Sequence, residues 1–217
     1  MHSPEGDIVQ DLHPEEHGGG HVHRDDTGSK MGMWLFLFTE VLLFGGMFIM
    51  YAGYRYEYPA EFIAAALRLD PILGAINTVI LLTSSLTVVL GIVALQKNNE
   101  KLCMFFLWVT QVCGLVFLVN KYFEWTHKIH LGIYPGGAAL EEMSKGETVF
   151  FGLYYVMTGL HGLHVIIGMT FIGVIMYFIH KKYLTHDNFQ KLENSGLYWH
   201  IVDVIWIFLF PLFYLIH

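Results

Sequence analysis

Apolar residues run through this chain in five long stretches, at about 31–55, 72–96, 102–126, 148–180 and 196–216, parted by polar segments. A helix needs about 20 apolar residues to cross ~30 Å of hydrocarbon, and every stretch reaches that length. In lipid the backbone must satisfy its own hydrogen bonds, so stretches of this length are helices and not open strands. The connections carry the expected breakers. Tyr58-Pro59 and Asp70-Pro71 bracket the first, Lys97-Asn98-Asn99-Glu100 makes the second, Pro135-Gly136-Gly137 opens the third and His186-Asp187-Asn188 lies in the fourth. No internal repeat is evident. The pattern predicts an all-α integral membrane protein, a single bundle of five transmembrane helices over residues 31–217.

Residues 1–30 differ in kind: polar, rich in Gly, His and acids, and without helical or strand period, they read as a flexible tail. The tail lacks the basic start, apolar centre and small-residue cleavage site of a secretory signal. His2, His13, His17, His21 and His23 offer metal ligands, but nothing pre-organises them, and a solvated tail with no fixed role is the preferred reading. Orientation follows from the basic residues. With the N-terminus cytoplasmic, that side collects Arg24, Lys30, Lys97, Lys101, Lys181, Lys182 and Lys191, against Arg55, Arg68, Lys121, Lys128 and Lys145 opposite. The chain is therefore expected to run from a cytoplasmic N-terminus to an outside C-terminus.

Composition agrees with a lipid-facing protein. Hydrophobic residues make up 54% and charged residues 14%, where a soluble domain carries about a quarter charged. Of the acids behind the net charge of −7, Glu5, Asp7, Asp11, Glu15, Glu16, Asp25 and Asp26 precede the first apolar stretch, so the membrane part is nearly neutral. No basic stripe suggests nucleic acid. Cys103 and Cys113 lie in one apolar stretch and read as small apolar residues rather than a disulfide or zinc pair.

Ionisable residues at membrane depth are the informative ones, because each costs several kcal/mol unless paired or wetted. Glu40 lies inside the first helix. His161 and His164 lie near the middle of the fourth, three apart on one face, and His200 and Asp203 share that spacing in the fifth. With antiparallel neighbours, Glu40, the histidine pair and Asp203 fall within about 8 Å of the midplane at ~1.5 Å per residue. Two readings stand side by side. One is a buried carboxylate whose histidine neighbours relay or buffer protons; the other, preferred, is polar glue that fixes helix packing. Near the outer end of the third helix, Lys121 is expected to snorkel beside Glu124, with Asn120, Tyr122 and Trp125 in an interfacial belt. Gly45, Gly46, Gly159, Gly162, Gly168 and Gly173 are expected to admit close helix approach. Thr83, Ser84, Ser85 and Thr87 are expected to bond back to their own helix.

A redox centre of its own would need several histidines converging from different helices. Three histidines at membrane depth, two of them on one face, are too few. There is no c-type haem attachment motif, copper-binding cysteine pair or nucleotide loop. No catalytic residue and no metal site are therefore assigned, and an accessory role is favoured.

The order of motifs carries a resemblance. Met33-Trp-Leu-Phe-Leu-Phe-Thr-Glu40-Val-Leu-Leu-Phe-Gly-Gly46 resembles the helix with a membrane-buried carboxylate in subunit III of haem–copper terminal oxidases. Asn77-Thr78 with Thr83-Ser84-Ser85 is similar to the next helix of that family. Gly114-Leu-Val-Phe-Leu-Val-Asn-Lys-Tyr-Phe-Glu124-Trp resembles the third, with Glu124 at its acidic position. Thr158-Gly-Leu-His161-Gly-Leu-His164-Val-Ile-Ile-Gly168 and Tyr198-Trp-His200-Ile-Val-Asp203-Val-Ile-Trp206 complete the series. Together these cover nearly everything after residue 30.

The resemblance implies a subunit of a bacterial aerobic respiratory oxidase, multi-pass in the cytoplasmic (inner) membrane. It implies no haem or copper of its own, these lying in partner subunits, and docking on catalytic subunit I in company with subunit II. Stabilisation of the core, phospholipid binding in a cleft and help with proton uptake are implied as well. Larger family members have seven helices; this chain lacks the first two, which help to form that cleft. Glu40 within Thr-Glu-Val-Leu-Leu-Phe leans toward the cytochrome c oxidase type over ubiquinol oxidases or nitric oxide reductase-associated homologues. An independent proton transporter, with Glu40 and the histidines lining its path, is the reading from another class; it is disfavoured because the chain lacks the inverted repeats and broken helices common in transporters. A hydrolase using His161 and His164 as metal ligands would need about three ligands.

Overall fold

The computed structural model describes residues 26–184 and 189–216; most of the His-rich tail and the His186-Asp187-Asn188 connection lie outside the described residues. Within them every regular element is an α-helix. In order come α1 (Asp26–Glu57), α2 (Pro59–Ala66), α3 (Pro71–Gln96), α4 (Glu100–His130), α5 (Ala138–Glu141), α6 (Lys145–His180) and α7 (Gln190–Tyr214). Five of these, α1, α3, α4, α6 and α7, are long and apolar enough to span a bilayer.

Helix ends sit where side chains replace missing backbone partners. Asp70 caps α3, its Oδ1 accepting from the amides of Ile72 and Leu73, with Pro71 in the first turn. Asn99 caps α4, and Asn98 beside it takes a positive φ of 58° to close the tight turn. Ser144 and Glu147 form a reciprocal capping box, which starts α6 a turn before its apolar stretch. In the first connection, expected as a loop, Pro59 sits at the start of an additional short helix, and Phe62, Ala65 and Ala66 bury its apolar face.

α3 and α4 pack along their length as a hairpin, and α7 lies against both α3 and α6. α7 supplies the largest buried side chains, Trp199 and Trp206. Half of its most apolar stretch is buried within the chain, against 11% for α1, so α7 is central and α1 peripheral. α1 runs parallel to α7: Lys30 pairs with Glu193 at one end, and the Tyr51 hydroxyl donates to the Leu212 carbonyl toward the other. We name the ends of the bundle by Lys30 and by Arg68.

Glycines admit the tryptophans. A Cβ at Gly168 would stand 2.8 Å from the Trp199 ring, and one at Gly114 3.0 Å from it; Gly159 meets Trp125 at 3.0 Å. Gly173 has ordinary room, and Gly45, Gly46 and Gly162 face open space. The expectation that these last three admit a neighbouring helix is thus not met within this chain, because the bundle places them on outward faces. Thr83, Ser84 and Thr87 bond to carbonyls of their own helix. Ser85 departs from that expectation: its hydroxyl turns to α7, 2.5 Å from His200 Nδ1.

Candidate functional site

The ionisable residues at membrane depth separate into distinct places. Glu40, on the face of α1 toward α6, has its Oε2 2.7 Å from His164 Nε2. The other ring nitrogen, Nδ1, lies 2.7 Å from the Leu160 carbonyl one turn back. A carbonyl only accepts, so this geometry assigns a hydrogen to Nδ1. One further proton is then shared between Glu40 and Nε2: the carboxyl donates to the imidazole, or the imidazolium donates to the carboxylate. Both arrangements are net neutral. Phe44 meets the His164 ring edge-on at 5.4 Å, Tyr198 stacks at 6.5 Å with its plane inclined by 30°, and the Glu40 side chain keeps 14% exposure. The pair is therefore largely buried yet reachable from the outer face of the bundle.

His161, one turn earlier on α6, does not join it. Its ring packs against Phe117 at 5.5 Å and Trp206 at 5.2 Å, and among the described residues neither nitrogen has a hydrogen-bond partner. Three residues advance a helix by about 300°, so neighbouring positions on one face still diverge. His164 turns to α1, and His161 to α4 and α7. His200 bonds to Ser85 on α3. Asp203, 2% exposed, lies beside Ser85, with no hydrogen bond of ordinary geometry among the described residues. Matching depth thus brings Glu40 to His164 but leaves Asp203 and His200 on the α3 side.

A second cluster lies toward the Arg68 end. Lys121 Nζ donates to Glu124 Oε2 at 3.0 Å, to the Tyr154 hydroxyl at 3.1 Å and to the Tyr214 hydroxyl at 2.9 Å. Both tyrosines donate to Glu124 Oε1, at 2.8 and 2.7 Å. Lys121 is buried at 7% exposure, and the expected snorkelling does not occur. A fixed anion and two hydroxyls inside the bundle satisfy the ammonium better than a stretched side chain would, and the Trp206 ring adds a cation–π contact at 5.2 Å. Tyr154 and Tyr214 escaped the sequence reading, since an aromatic hydroxyl in an apolar stretch looks like core until its partner on another helix is known. Lys128, also buried, lies next to this cluster. Nearer the surface, Arg68 pairs with Glu147 at 3.0 Å. Among the described residues no group of three His, Cys, Asp or Glu side chains is placed to hold a metal ion.

Comparison with known proteins covers the whole of this arrangement. The family profile described as Cytochrome c oxidase subunit III matches residues 6–217. A cytochrome c oxidase subunit 3 of Alkalihalophilus pseudofirmus is 36% identical over 188 residues, 85% of either chain. That of Thermostichus vulcanus is 34% identical, covering 90% of this chain and 91% of its own. A probable quinol oxidase subunit 3 of Staphylococcus saprophyticus is 30% identical, covering 87% and 89%.

Proposed function

Since the chain belongs to the cytochrome c oxidase subunit III family, we propose that it is the non-catalytic third subunit of a bacterial oxidase of the cytochrome c type. It docks within the inner membrane on the subunit that reduces dioxygen to water and moves protons, beside subunit II, and it stabilises that core. Haem and copper sit in those partners. The match over residues 6–217, with relatives of similar length named oxidase subunit 3, carries this reading. The Lys30 end faces the cytoplasm, in keeping with Lys97, Lys101, Lys181, Lys182 and Lys191 at that end. The quinol oxidase relative supports a second reading, in which the same subunit serves a quinol-driven enzyme.

In this role the Glu40–His164 pair is a proton-holding site on the periphery of the bundle. It holds one shared proton at no net charge, with α1 free on its outer side to meet a partner. Glu40→Gln keeps the hydrogen bond, because an amide N–H donates to Nε2, but removes the exchangeable proton. Assembly and most oxygen consumption should survive this change, while proton pumping or endurance over many turnovers falls. Loss of assembly in that variant would return the pair to polar glue.

The direct test is mild detergent purification through a tag on this chain, followed by a reduced-minus-oxidised spectrum. Haem in a complex that consumes oxygen with reduced cytochrome c is the expected result. Activity with quinol alone would select the second reading. A colourless, stable, solitary protein would reject both.

A further inference from the structure

Toward the Lys30 end, α4 and α6 face each other across an open groove of about 620 Å³. Met104 and Trp108 line it from α4, Met176 and His180 from α6. Three contacts deeper in the bundle fix the register of the two helices. Gln111 Nε2 donates to the Met169 carbonyl at 2.7 Å. A Cβ on Gly173 would stand 3.6 Å from Gln111 Nε2, and one on Gly114 3.0 Å from Met169 Sδ. The helices are therefore antiparallel, with Gln111 level with Gly173. Counting from that pair toward the Lys30 end, Trp108 comes level with Met176, and Met104 with His180. Residues four apart on a helix stand about 5–6 Å from each other on one face, and packed helices lie about 8–10 Å apart. The four side chains thus occupy the corners of one small square.

Two of those corners are thioethers, one is an imidazole and one an indole. Among the described residues no acid lines the groove, so it lacks the charged oxygen ligands that magnesium or calcium require. Neutral thioethers with an imidazole are a soft donor set, which suits Cu(I), and Trp is the best of the aromatic rings for holding a cation over its face. Met169 stays outside the set, because its sulfur already lies against Gly114. Lys101, in the first turn of α4, and Lys181, just past the end of α6, stand at the polar mouth. Their repulsion is twice as large for a divalent ion as for a monovalent one, since Coulomb energy scales with charge.

We infer that Met104, Met176 and His180 form an exchangeable site for a soft monovalent cation of the Cu(I) class, with Trp108 as its aromatic wall. The site is separate from the haem and copper of the partner subunits, and no electron changes hands in it.

Silver(I) is the probe, since it shares the charge and softness of Cu(I) and is not masked by copper elsewhere in the complex. The complex that purifies with this chain is titrated with silver nitrate in chloride-free buffer. Trp108 is 60% exposed, and its emission is taken as the difference from Trp108→Phe. That signal should quench and saturate at about one silver ion per copy of the chain. Zinc(II), which favours thiolate, imidazole and carboxylate ligands, should leave it unchanged. Met104→Leu with Met176→Leu keeps volume and apolar packing and should abolish the saturating phase. His180→Asn alters only an exposed side chain at the helix end and should move the midpoint to higher silver, a check that holds even where the methionine pair variant fails to assemble. Silver also seeks thiols, so an unchanged titration in these variants would place the ion on a cysteine and overturn the inference. An equal response to zinc(II), or no response of Trp108 to silver, would overturn it as well.

Discussion

At the scale of single residues, burial and partnership separate the two histidines that share a helix face. His164 satisfies both nitrogens, and its removal would strand the Glu40 carboxyl in a low-dielectric site. His164→Leu should therefore destabilise the complex by about 1–3 kcal/mol. Its neighbour offers nothing to lose. His161 has no hydrogen-bond partner among the described residues, so His161→Leu relieves a buried unsatisfied ring and should leave the thermal midpoint unchanged or raised. Thermal unfolding of the two variants in parallel checks this, and equal losses would contradict it. Lys121 presents the opposite case. Lys121→Met leaves Glu124 buried with an uncompensated charge, a loss of about 3–5 kcal/mol, whereas Lys121→Met with Glu124→Leu removes both charges and should recover part of it. A double variant as unstable as the single one would show that the tyrosines, not the ion pair, hold this corner together.

At the scale of helices, contact between elements depends on where small residues face. Gly168 and Gly162 are six residues apart on α6, yet only one of them meets a neighbour. Gly168→Ala forces a methyl to within 2.8 Å of the Trp199 ring, where overpacking costs about 1–3 kcal/mol. Gly162→Ala points into open space and should instead gain a few tenths to about 1 kcal/mol from helix propensity. Urea or thermal unfolding of the purified complex measures both; a loss in Gly162→Ala would show that a partner subunit packs on that face. The same geometry explains what the sequence concealed at this scale. Apolar length revealed the five spans, since it depends only on the membrane. Which face of each span meets another helix depends on rotation about the axis, and the all-round apolar surface of a membrane helix hides it. Ser85 therefore looked like its neighbours Thr83 and Thr87, although it alone of the three reaches across to α7.

For the molecule as a whole, a residue's position along its helix was legible and its lateral position was not. Counting residues placed Glu40, His161, His164 and Asp203 at similar depth, but the order of helices around the bundle decides which of them meet. α1 lies on α6 and α7, so Glu40 finds His164; α3 lies on the other side of α7, so His200 finds Ser85. The buried Lys121–Glu124 pair was visible as a spacing of three, while its two tyrosines come from helices far along the chain. The family motifs, by contrast, were legible in order because they are strings of neighbouring residues, and such strings survive any uncertainty about packing.

The peripheral place of α1 has a consequence for how this protein is made. The helix that leaves the ribosome first has its partners in the helices that leave it last, and Glu40 is separated from His164 by 124 residues. At 5–20 residues per second of synthesis, Glu40 waits roughly 6 to 25 s in the bilayer before its histidine arrives. An ionised carboxylate would disfavour insertion throughout that interval, whereas the protonated acid enters lipid far more readily. Until α6 arrives, α1 therefore holds a polar side chain in the bilayer without the imidazole that partners it in the finished fold.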